Sequence, residues 1–90
     1  MKATEAFITC LDSLKLDMVS ADALQPLASD LCDALRNVHV LPPSWDGMAK
    51  VRAWLFKLTG MAAHEELSEE DSRQMVFDLE TAYEAFKQFL

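Results

Sequence analysis

His64 followed by Glu65 opens like the HExxH motif of zinc proteases, which needs a second histidine one helical turn on to share the metal while the glutamate activates its water. Ser68 stands at that second position, so His64 reads as a solvated loop histidine. Cys10, Cys32, His39 and His64 are four nominal zinc ligands. None of them is paired at the roughly two- to four-residue spacing of structural zinc sites. Gly47 and Gly60 are the only glycines, which leaves no Gly-rich turn to cradle phosphates, and no G-x-S-x-G is present for nucleophilic catalysis. Glu69 and Glu70 are adjacent carboxylates, but they fit the start of a helix, where negative charge complements the macrodipole, better than a general acid and base. The expectation is a protein that is not an enzyme and has no catalytic residue, cofactor or metal of its own.

The elements that hold these residues are helical. Phe7, Ile8, Leu11, Leu14 and Met18 share one face of a first helix, and Leu24, Leu27, Leu31, Leu35 and Val38 share one face of a second. Asp22 followed by Gln25 resembles a capping box, which would place Pro26 near a first turn; a start at Ser20 would instead put Pro26 deeper and bend the helix. Pro42 and Pro43 break the pattern in VHVLPPSWDG and make it a loop. A third helix resumes near Asp46 with Met48, Val51, Leu55 and Leu58 inward, and Gly60 is placed to close it in a left-handed conformation. Ser68 caps a fourth, with Asp71 at its third position and Met75, Val76, Leu79, Ala82, Tyr83, Phe86 and Leu90 as the buried stripe. Four such stripes on short connections predict an all-α, antiparallel up-down four-helix bundle spanning residues 1–90 as a single domain.

Composition narrows the function further. Fifteen acidic against eight basic residues give a formal charge of -7, which repels nucleic acid and anionic lipid over roughly a Debye length. No apolar run approaches the roughly 18 residues needed to cross a bilayer, and MKATEAF lacks a secretory leader, so a soluble, cytosolic chain is expected. The two cysteines sit within helical patterns and read as reduced, small hydrophobes. A membrane-surface helix wants Lys and Arg beside its apolar face, whereas the fourth helix carries mostly Glu and Asp there. What remains is an adaptor, which requires exposed apolar anchors.

Phe77 is the leading anchor, since it lies about 160° around the helix from Leu79, among Glu80, Thr81 and Glu84. In an up-down bundle Leu16, Trp54, Phe56 and Phe77 gather towards one end. Trp54 and Phe56 fall about 100° to either side of Leu55, at the edge of the core. A linker over residues 61–67 folded across these aromatics is the alternative to their exposure.

FITCLDSLKL (7–16), DALQPL (22–27), the lysine and tryptophan of KVRAWL (50–55) and FDLETAYEAF (77–86) together resemble the C-terminal domain of subunit twenty-eight of the vacuolar protein sorting set, a component of ESCRT-I. The resemblance runs along almost the whole chain in the right order. It implies a non-enzymatic adaptor, joined by a flexible linker to an N-terminal region that assembles with the other ESCRT-I subunits. Its implied partners are the GLUE-domain subunit of ESCRT-II and a subunit of ESCRT-III, in the sorting of ubiquitinated cargo to multivesicular endosomes. The same machinery serves the budding of enveloped viruses. A cytoplasmic domain, monomeric when isolated and peripheral on the late endosome, follows from it. Lys15, Leu16, Lys50, Trp54, Phe77, Asp78 and Glu80 match the family's motifs and are the expected protein-binding residues. The second reading is a helical docking or regulatory module of another assembly, taking an amphipathic peptide in a groove between helices.

Overall fold

Helical periodicity broken by Pro, Gly and capping residues produces four helices in the computed structural model, which describes residues 2–38, 41–42 and 45–89. They are α1 (Lys2–Lys15), α2 (Ala21–Arg36), α3 (Asp46–Thr59) and α4 (Glu69–Lys87). Each packs on its neighbour in chain order and α4 closes against α1, so α2 and α4 stand diagonally across an up-down bundle of 36 × 20 × 19 Å. His39, Pro43 and Leu90 lie outside the described residues.

The core runs along the axis as Phe7, Leu24, Leu31, Leu35, Val51, Leu58, Met75, Leu79 and Phe86, each at most 1% exposed. Leu79 is therefore a core residue, as its spacing requires. The α4 start also follows the sequence: the Ser68 hydroxyl accepts from the Asp71 backbone N–H at 3.1 Å. Val76 and Tyr83 are half-buried at the margin of the stripe rather than in its centre.

Three details differ from the expected stripes. In α1 the buried apolar arc is Ala3, Phe7, Cys10, Leu11 and Leu14, with Ser13 buried at its edge, which leaves Ile8 about 110° from the apolar centre and 45% exposed. Met18 is 55% exposed because the helix has ended before it. Asp17 takes a φ of 62°, its N–H bonds Leu14 O at 3.2 Å, and the Met18 N–H bonds Ser13 O at 2.9 Å. These bonds make a Schellman motif with aspartate in the position that glycine usually fills. Gly60, where that conformation was expected, has φ -81° and stays right-handed.

In α3 the buried residues are Gly47, Val51, Trp54 and Leu58, with Met48 and Leu55 half-buried beside them. The arc is rotated from the expected one, towards Trp54. A cause lies on α4, where Asp78 offers an acceptor to the indole N–H. Gly47 is required by packing. Trp45 folds back over the start of α3, and a Cβ on residue 47 would land on its indole ring.

In α2 the helix starts after Ser20, so Pro26 lies in its second turn and cannot donate to the Asp22 carbonyl. Asp22 with Gln25 does not form the cap. The first N–H groups of α2 find partners far away in sequence: Ala21 N–H donates to Glu65 O at 2.8 Å and Asp22 N–H to Ala63 O at 3.0 Å. The Ser20 hydroxyl bonds Asp22 Oδ1 at 2.6 Å. The linker from Met61 to Leu67 thus lies against the α1–α2 turn, with Leu67 N–H on Val19 O at 3.0 Å, and leaves Phe56 and Phe77 uncovered.

Candidate protein-docking face

Asp78 and Phe77 are consecutive on α4 and have opposite environments. Asp78 points towards α3, where its Oδ2 accepts from Trp54 Nε1 at 2.9 Å and its Oδ1 from Gln74 Nε2 at 3.0 Å. Trp54 is 8% exposed, so its N–H needs that partner, because an unpaired buried donor would cost about 1–3 kcal/mol. The expectation that Trp54 lies at an exposed edge is thereby corrected: it is a buried tie between α3 and α4. Two lysines of α3 share the Trp54 side of the helix at three- and four-residue spacing. Lys57 pairs with Asp71 at 3.0 Å, and Lys50 is half-buried one turn before Trp54.

The other flank of α4 is tied to α1. Lys15 reaches Glu80 at 3.4 Å, with both side chains more than half exposed, so the pair aligns the helices more than it stabilises them. Tyr83 stacks on Phe7 with centroids 5.1 Å apart, and Lys87 Nζ lies 4.5 Å over the Tyr83 ring. Between these two seams Phe77 faces outward, 62% exposed. Its backbone is held from both sides while its ring is uncovered, which is a preorganised anchor for a partner.

Leu16 is 70% exposed at the end of α1, beside the Lys15–Glu80 pair, and its position is fixed by the Schellman turn that follows it. Phe56, 83% exposed, points away from the core on α3. Of the seven expected binding residues, the structure thus presents Phe77 and Leu16 as exposed apolar groups, joins Lys15 to Glu80, pairs Trp54 with Asp78 below the surface, and leaves Lys50 at the α3 margin. Ile8 and Met18 add exposed apolar surface that spacing alone had assigned to the core.

The residues with chemical potential are dispersed. Cys10 and Cys32 are buried free thiols, and burial, with the Asp30 charge added, pushes the Cys10 pKa up to about 12. Such a thiol stays protonated at neutral pH and is no nucleophile. His64 is exposed in the linker. Among the described residues no three His, Cys, Asp or Glu side chains converge on a metal-sized site, and no helix is long and apolar enough to cross a membrane.

Comparison with known proteins matches the family model described as VPS28 protein over residues 1–90. The chain belongs to the VPS28 family. It is similar to vacuolar protein sorting-associated protein 28 homolog 2 of Arabidopsis thaliana, 46% identical over 85 residues that cover 94% of this chain and 40% of that protein. Its similarity to the Caenorhabditis elegans homolog is 43% over 86 residues, 96% of this chain and 41% of the relative. To the Saccharomyces cerevisiae protein it is 32% over 85 residues, 94% and 34% respectively. The chain therefore spans about two fifths of the length of the Arabidopsis thaliana and Caenorhabditis elegans relatives.

Proposed function

We propose that this domain is a non-enzymatic adaptor in vacuolar protein sorting, the C-terminal part of a longer ESCRT-I subunit. In this reading residues 1–90 are one folded unit, and the remainder of the subunit joins the other ESCRT-I components. The bundle then recruits downstream factors, the GLUE-domain subunit of ESCRT-II first and an ESCRT-III subunit second, at the cytoplasmic face of the late endosome. Membership of the VPS28 family supports the sorting role. The observation that carries the adaptor role is Phe77, 62% exposed on a helix clamped along both flanks. Leu16, Lys15, Glu80 and Lys50 form the surroundings a partner would meet, while Trp54 and Asp78 hold the platform in place.

Burying the Phe77 ring against a partner is worth about 1.5–3 kcal/mol, or roughly 10- to 150-fold in affinity. Phe77→Ala should weaken capture of the ESCRT-II or ESCRT-III subunit by that factor, as measured by calorimetry, and leave the melting temperature unchanged. A Phe77→Ala protein that melts several degrees lower yet binds normally would sink the anchor assignment.

A further inference from the structure

The seam between α1 and α2 opens into a groove of roughly 470 Å³. Its floor is Ala6, Leu27 and Ala34, packed against the core and only half covered, with Thr9 exposed beside them. The lining positions recur at helical spacing on both sides: 2, 5, 6 and 9 on α1, and 27, 30, 33 and 34 on α2, with Asn37 just past its end. A third helix laid along the seam would meet one ridge from each, and the alanines let its axis approach to about 8–10 Å. The α2 ridge is about 15 Å long, enough for some three turns.

The rim has a sign. Glu5, Asp30 and Asp33 line it against the single cation Lys2. Arg36 holds Asp33 at 2.6 Å, so the field comes chiefly from Glu5 and Asp30, which make no ion pair among the described residues. Such a rim favours Lys or Arg flanking an apolar stripe and repels an acidic helix. No residue of α4 lines the groove, so an occupant here need not compete with one at Phe77.

We propose that the α1–α2 groove is a second docking site, which takes a basic amphipathic helix of a protein partner independently of the α4 face. The test is an NMR titration of the chain with three synthetic peptides of about five helical turns. One carries Leu and Ala on one face and Lys on the other, one has Glu in place of Lys, and one is a scramble of the Lys peptide.

The ordered Lys peptide should shift the amides of Ala6, Thr9, Asp30 and Ala34, leave Phe77 unmoved, and bind Phe77→Ala protein as well as the parent. Thr9→Arg and Asp30→Lys should each weaken it about tenfold or more at unchanged melting temperature. If Thr9→Arg fails to fold, Asp30→Lys on the exposed rim carries the same test. Equal binding of the scramble would reduce the effect to net charge and overturn the proposal, as would shifts confined to α4. Concentration-dependent shifts at the same amides without peptide would overturn it by making the occupant a second copy of the chain.

Discussion

The two ends of the bundle are held by different physics. At the end formed by the start of α3 and the close of α4, side chains dominate: Trp45 lies 6.3 Å from Phe86 and 6.0 Å edge-on to Phe89, and Phe86 lies 5.7 Å from Phe7. At the other end the α1–α2 turn and the α3–α4 linker are joined mainly by backbone, through Val19, Ala21 and Asp22 to Leu67, Glu65 and Ala63. Aromatic packing loses its energy when one ring is removed. A backbone ladder tolerates side-chain changes and leaves side chains free, and this is the end at which Leu16 and Met18 are exposed.

Substitutions should divide along that line. The largest effect is expected for Phe86→Ala, which removes a fully buried ring from the aromatic end and should cost about 3–5 kcal/mol. Thermal unfolding by circular dichroism should fall by roughly 12 °C or more for a domain of this size. A shift of only a few degrees would mean that the aromatic cluster does not hold that end.

Gly47→Ala comes next, because the methyl group must displace the Trp45 ring and should cost about 1–3 kcal/mol. Pairing it with Trp45→Ala sharpens the point: with the ring gone, Gly47→Ala should do little additional harm. Additive losses would show that something other than Trp45 excludes the methyl.

At the backbone end the sign reverses. Asp17→Gly relieves a left-handed conformation that aspartate adopts at a cost, partly offset by the greater freedom of glycine when unfolded, so a gain of about 0.5–1 kcal/mol is expected. A lower melting temperature would mean that the Asp17 side chain contributes more than its backbone strain removes. Leu16→Ala, the smallest effect, should change stability by less than about 0.5 kcal/mol, as for other surface positions.

Legibility in the sequence divides along similar lines. Ser68 was readable as a cap because its partner, the Asp71 N–H, is three residues away. The start of α2 was not, because the partners of Ala21 and Asp22 are the carbonyls of Glu65 and Ala63, some forty residues on. Phe77 was readable because it lies opposite a continuous stripe. Trp54 was not, since the wheel put both Trp54 and Phe56 at the edge of α3 and gave no reason to choose between them. The α1–α2 groove has no signature in either helix alone.

By itself the sequence determined that the chain makes four helices and which residues each can bury, because periodicity, proline and a hydroxyl cap act within a few residues of themselves. Only the tertiary structure decided how each helix is rotated. A helix with an apolar arc wider than its contact can turn several ways at similar cost in burial, and the choice falls to whatever a neighbour offers: an Asp78 carboxylate to the Trp54 indole, or a linker carbonyl to the first amides of α2. Those partners exist only once the chain has folded back on itself.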